Sequence, residues 1–186
     1  MPAIIRKKKS KKFLVLIILI LGVLLIVSGS YLKIRQKYLL SFNVEPPTYN
    51  FIANSPPISI RIRSVNIFLV VSEGSITDGI WSISESGANH LNVSGNPGDG
   101  GNIVIYGHNK KNLFGPIRNI KVGDLVEINS EIDKKYYYRV EKTAVVKPEE
   151  IDYVLPKDTE ILTLYTCTGF MDSKRFVAVA TPDQSL

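Results

Sequence analysis

Thr163-Leu164-Tyr165-Thr166-Cys167-Thr168-Gly169-Phe170-Met171-Asp172-Ser173-Lys174-Arg175 contains the only cysteine in the 186-residue chain. An apolar run, residues 161–165, leads into the thiol. Eight residues after the cysteine, an arginine heads a second apolar run, residues 176–180. The pattern predicts strand, turn, strand. Adjacent antiparallel strands would set the thiol at the end of the first beside the guanidinium at the start of the second. A nearby cation lowers a thiol pKa and stabilises an oxyanion, so the pair points to nucleophilic chemistry. The opposing reading is a small buried apolar side chain, which a lone cysteine often is.

Outward from this stretch, residues 58–62 alternate apolar and polar, and residues 65–71 are β-branched and apolar. Residues 102–106, 125–128, 136–140 and 143–146 add four further short apolar or alternating segments. Glu73-Gly74, Asp78-Gly79, Asn96-Pro97-Gly98 and Asp99-Gly100-Gly101 are turn signals between them. Helical periodicity is limited to a turn or two at residues 80–90 and 113–120. About eight short strands at regular spacing predict a mainly β domain over residues 58–186, a closed barrel or a sandwich with one or two short helices.

The N-terminus has a different character. Residues 6–12 carry six basic side chains, and residues 13–27 are apolar without a charge. With residues 28–32 the apolar stretch reaches about 20 residues, the length of a bilayer-spanning helix. Six basic residues before it and three after it (Lys33, Arg35, Lys37) place the N-terminus in the cytoplasm. The expected organisation is a cytoplasmic tail at 1–12, a transmembrane signal-anchor helix at 13–32 in the lipid bilayer, an extracytoplasmic linker at 33–57 and a catalytic domain at 58–186. Pro46-Pro47 and Pro56-Pro57 mark the linker as extended, although residues 33–42 can continue the helix. A cleaved signal peptide is the alternative, but no Ala-x-Ala site follows the apolar run.

The formal charge of +6 also divides along the chain. Residues 1–42 hold nine basic residues and no acidic one, which leaves 14 basic against 17 acidic residues, or −3, for the remainder. A mildly acidic body excludes nucleic acid as the partner.

A cysteine nucleophile needs an imidazole, and the chain has two histidines. His108 follows the strand-like residues 102–106 and a glycine, as a side chain displayed at a barrel rim would. His90 lies in a polar stretch, Gly87-Ala88-Asn89-His90-Leu91-Asn92, with no comparable scaffold.

Together these residues resemble the sortases, membrane-anchored cysteine transpeptidases of bacterial cell surfaces. Thr163-Leu164-Tyr165-Thr166-Cys167 matches the family's Thr-Leu-any-Thr-Cys motif, and Arg175 falls at the family's arginine. The stretch from Pro97 to His108 is similar to the one that precedes the catalytic histidine, and His90 matches a second histidine upstream of that proline. Phe114-Gly115-Pro116-Ile117 and Val122-Gly123-Asp124 resemble the elements that follow. Arg61 stands where the opening strand usually has proline. Tyr106-Gly107-His108-Asn109 replaces the commoner Ala-Gly-His-Arg, and Cys167-Thr168-Gly169 the commoner Cys-Thr-Pro. These departures leave the subclass open, a class D- or E-like one being the candidate. The lack of an Asp-Pro-aromatic lid motif and of a C-terminal membrane segment weighs against the pilus-building subclass.

The resemblance implies an eight-stranded sortase-type β-barrel and acyl transfer in two steps. Cys167 would attack the Thr–Gly bond of a Leu-Pro-any-Thr-Gly-type sorting signal at the C-terminus of a surface protein. His108 would protonate the departing amine, and an amine acceptor of the cell envelope would resolve the thioester. Arg175 would hold the oxyanion or the substrate backbone. Thr166, Thr168 and His90 are implied substrate-side residues, and Leu155 belongs to an apolar segment suited to a Leu-Pro pocket. No cofactor is implied. Asp99, Asp124, Glu149, Glu150 and Asp152 lack the spacing of a calcium loop, so no metal is assigned. The alternatives are a surface endopeptidase with water as acceptor and a non-catalytic wall-binding barrel. A thiol inert to a small electrophile near neutral pH would favour the last.

Overall fold

A computed structural model of the chain describes residues 11–38 and 55–185, which fall into two units. The first is one helix, α1 (Lys11–Tyr38). Its segment Phe13–Ile34 is long and apolar enough to cross a membrane. At 1.5 Å per residue these 22 residues reach about 33 Å, matching a hydrocarbon core of about 30 Å. The helix runs past residue 32 because Lys33-Ile34-Arg35-Gln36-Lys37 contains neither glycine nor proline. Most of the expected linker, residues 39–54, lies outside the described residues.

The second unit is a closed barrel. Its strands are β1 (Pro57–Ile62), β2 (Ile67–Gly74), β5 (Ala88–Leu91), β6 (Asn102–Gly107), β7 (Leu125–Ser130), β8 (Lys135–Val146), β9 (Ile161–Thr168) and β10 (Lys174–Pro182). A small hairpin of β3 (Ile76–Thr77) and β4 (Ile80–Trp81) interrupts the path from β2 to β5. Around the barrel the order is β1-β2-β5-β6-β9-β10-β8-β7, with β7 closing on β1. All neighbours are antiparallel except β2–β5 and β6–β9.

Two strand expectations change. Residues 136–140 and 143–146 form one strand, β8, with a bulge: Lys142 opposes Val179 and Val140 opposes Ala180, which leaves Glu141 over. The eighth strand is β5, within a stretch that reads as polar or helical. Ala88-Asn89-His90-Leu91 has no β-branched residue, yet all four are buried between β2 and β6. Tertiary pairing makes this strand, not local propensity. The helical turn expected at 113–120 is the 3-10 helix Gly115–Asn119.

Side chains alternate across a strand, and β6, β9 and β10 use both faces. Ile103, Ile105, Leu162, Leu164, Phe176 and Ala178 fill the barrel interior. Val104, Tyr106, Tyr165, Cys167 and Val177 form a second apolar cluster on the outer face. Trp81, from the β3–β4 excursion, covers this face, with its ring 4.9 Å from Tyr106 and 6.1 Å from Tyr165. Val154, from the segment between β8 and β9, joins the same cluster.

Gly107 ends β6 for a steric reason rather than to turn the chain. It is not among the glycines with positive φ, and a Cβ there would stand 2.8 Å from Phe114 Cβ. Gly107→Ala is expected to cost about 1–3 kcal/mol by overpacking, read as a lowered denaturant midpoint with an unchanged slope.

Candidate active site

The register of two strand pairs assembles the site. In β9–β10, Cys167 lies directly opposite Arg175. In the parallel pair β6–β9, Gly107 is level with Thr166, so His108 leaves its strand level with Cys167. Alternation then places all three on one surface: His108 continues the outward series Val104, Tyr106, while Cys167 follows Tyr165 and Arg175 precedes Val177.

The thiol and the guanidinium are both enclosed, at 4 % and 1 % exposure. Burial pushes the Cys167 thiol up to about 11; the Arg175 charge opposes this and Asp172 reinforces it. Desolvation outweighs the cation here, so the sulfur carries its proton at neutral pH. Arg175 Nη1 donates to the carbonyls of Asp172 and Lys174, each at 2.9 Å. Thr166, fully buried, donates through Oγ1 to the Gly107 carbonyl at 2.8 Å and so ties the end of β9 to the end of β6. Thr168 closes β9 and is half-buried.

Between β9 and β10 the turn is tight. Gly169 has φ +80°, and Met171 and Asp172 both adopt left-handed conformations, at φ 51° and 57°. Asn109, next to His108, donates Nδ2 to Asp172 Oδ1 at 3.1 Å. That bond links the two loops that carry the histidine and follow the cysteine.

His108 is 19 % exposed. Its Nε2 lies 3.2 Å from Oε1 of Glu85, whose other oxygen accepts from Lys110. The Lys110 hydrogen bond, then the charges of His108 and Lys110, hold the Glu85 carboxyl below the usual carboxylate range.

On the other side of the second cluster, Leu155 is half-buried in the segment between β8 and β9. Buried Asn102 of β6 holds this segment. Its Nδ2 donates to the carbonyls of Tyr153 (2.9 Å) and Leu155 (2.8 Å), and its Oδ1 accepts from Thr163 Oγ1 (2.8 Å).

His90 takes a different place from the one expected. It sits in β5 at 1 % exposure, with Nδ1 2.8 Å from Glu73 Oε1 and Nε2 2.9 Å from the Gly95 carbonyl. Both nitrogens serve to bind β5 to β2 and to the following loop, which leaves none for a ligand. Thus Cys167, His108, Arg175 and Thr166 come together and His90 stands apart. Glu85 and Asn102 escape sequence reading. Glu85 follows no strand, and Asn102 reads only as the first residue of one.

The sortase domain family matches residues 60–183, well over half of the chain. A comparison with curated protein sequences finds no match. Among solved structures, the chain is similar to sortase A of Listeria monocytogenes, at 28 % identity and TM-score 0.59, over 71 % of this chain and 89 % of that one. A Clostridium perfringens sortase D5 transpeptidase gives 25 % and 0.59, over 70 % and 79 %. Sortase A of Corynebacterium diphtheriae gives 29 % and 0.59, over 73 % and 66 %. With a family match over residues 60–183 and a barrel shared with solved sortases, the chain belongs to the sortase family.

Proposed function

We propose that the chain is a cell-surface cysteine transpeptidase that cleaves a Leu-Pro-any-Thr-Gly-type sorting signal between Thr and Gly and passes the acyl group to an envelope amine. Family membership supports transpeptidation in general. The observation that carries the residue assignment is the register that sets Cys167 opposite Arg175 and level with His108.

In this reading the Cys167 thiol gives its proton to His108, and sulfur attacks the carbonyl carbon of the scissile Thr. Arg175, together with the backbone N–H of Thr168, meets the charge developing on the carbonyl oxygen. His108 then returns a proton to the departing glycine amine, leaving a thioester on Cys167. The acceptor amine attacks the thioester, His108 takes its proton, and the thiol is restored. The wall at Leu155, with Val154 and Ile151, suits the Leu-Pro side chains of the signal, and Thr166 orients the cysteine from behind. Helix α1 anchors the enzyme in the bilayer, and the excess of basic residues before it sets the N-terminus in the cytoplasm and the barrel outside.

Mass spectrometry of the full chain in detergent, mixed with a sorting-signal peptide, is expected to show an acyl adduct on Cys167. Cys167→Ala should show neither adduct nor turnover, whereas His108→Ala and Arg175→Ala should each lose roughly 100-fold or more in kcat while staying folded. Turnover by Cys167→Ala would overturn the assignment, and product that never incorporates an added amine would leave only hydrolysis.

The buried thiol changes the meaning of alkylation. A thiol at about 11 leaves roughly one molecule in ten thousand as thiolate at pH 7. Reaction with iodoacetamide is therefore expected to be slow near neutral pH even in a working enzyme, climbing about tenfold per pH unit up to about 11. The folded state holds this thiol in its protonated form, so the stabilisation is complete below the ordinary thiol pKa of 9.0 and is lost as pH rises toward 11. The unfolding midpoint should fall over that window in the parent and stay flatter in Cys167→Ala.

Asn102→Ala removes three hydrogen bonds and orphans buried partners, at a cost of about 1–3 kcal/mol. Because it frees the segment at Leu155, KM for the peptide should rise several-fold with kcat nearly kept; an equal fall in kcat at constant KM would count against a substrate role for that segment.

A further inference from the structure

We propose that Glu85 is the positioning residue for His108, fixing its ring so that Nδ1 is the nitrogen that exchanges protons in the reaction. The proposal rests on the transpeptidase reading for its consequence, but its geometry stands independently.

A carboxylate can only accept, so His108 Nε2, at 3.2 Å from Glu85 Oε1, must carry the hydrogen. In the neutral ring this leaves the lone pair on Nδ1. That atom can take the thiol proton from Cys167 and hand it to the departing amine, with Nε2–H bonded to Glu85 throughout.

Glu85 is 74 % exposed, and an exposed carboxylate on a free loop would carry little weight. The loop is not free. Buried Tyr106 donates its hydroxyl to the Ser82 carbonyl at 2.6 Å. Buried Asn89 accepts from the Ser84 N–H at 2.6 Å. Ser84 Oγ accepts from the backbone N–H groups of Ser86 and Gly87, at 3.2 and 3.1 Å. Gly87 admits the close approach of β2, since a Cβ there would stand 2.5 Å from the Val70 carbonyl oxygen. Both ends of the Glu85 turn are thus fastened to strands of the barrel wall. One of them, β6, presents His108 two residues beyond Tyr106. Lys110 occupies the second carboxylate oxygen, leaving Oε1 for the imidazole.

The chain has only two histidines, so nitrogen NMR of histidine-labelled full chain in detergent micelles resolves both rings. His90, enclosed by Glu73 and Gly95, reports whether the fold is intact. In the parent, His108 is expected in the Nε2–H form when neutral. Glu85→Ala should shift population to the Nδ1–H form without moving the His90 signals. With a Leu-Pro-Ala-Thr-Gly peptide and hydroxylamine as the amine, kcat should fall roughly five-fold, the scale of an exposed charge pair, with KM within two-fold. Glu85→Gln, which keeps an acceptor but not the charge, should fall between. A His108 tautomer unaffected by Glu85→Ala overturns the proposal, as does a shifted tautomer with kcat unchanged. A parent that responds in the spectrum but turns over no peptide upholds the contact and defeats the transpeptidase reading instead.

Discussion

The parallel pairing of β6 with β9, continued antiparallel into β10, is the constraint on which the rest of the molecule depends. These strands bury residues on both faces. A barrel wall normally turns one face to water, so the outer side here needs a cover. The chain supplies one from two directions, the β3–β4 excursion through Trp81 and the segment after β8 through Val154. The same two pieces carry Glu85 and Leu155. Burying the outer apolar cluster and enclosing Cys167 are therefore one structural requirement.

That cover has an electrostatic consequence. Enclosing a thiol beside a guanidinium brings desolvation and attraction into opposition, and desolvation prevails, so the thiol is pushed up to about 11. The Arg175 charge offsets this only in part, because desolvation by burial is the larger effect. A thiol held neutral at rest needs a local proton acceptor, more than a nearby cation, if it is to act as a nucleophile. In the proposed reaction His108, level with Cys167, would be that acceptor.

Much of this was legible in the sequence because the central strands announce themselves. Residues 103–106 and 176–180 are continuous apolar runs, and 161–165 is broken only by Thr163, as strands buried on both faces tend to be. The thiol and guanidinium at facing ends of two such runs predicted their own pairing, and the register confirms that pairing at Cys167 and Arg175. What remained hidden depends on tertiary contacts. β5 is built from Ala, Asn, His and Leu, and its polar members are tolerated only because Glu73, Gly95 and the Ser84 N–H satisfy them. His90 accordingly reads as a site residue when it is a buried fastening. Glu85 belongs to a serine-rich turn whose purpose appears only when Tyr106 and Asn89 are seen to hold it. The bulge at Glu141 joins two short strands into one and has no local signature.

The turn after the cysteine shows how one substitution redirects a rim. Sortases commonly carry proline two residues after the cysteine, and this chain has Gly169. Proline fixes φ near −65°, whereas Gly169 adopts φ +80°. The two residues cannot share a conformation, so the path from Gly169 to Ser173 is one a proline-bearing relative is barred from following. Two further residues, Met171 and Asp172, sit in the left-handed region, each at a cost on the order of 1 kcal/mol. The path brings the Asp172 carbonyl onto Arg175 and its carboxylate onto Asn109, while Phe170 is left 85 % exposed. The glycine thus permits a turn that ties the two loops of the site together through Asp172 and leaves an aromatic side chain exposed three residues beyond Cys167.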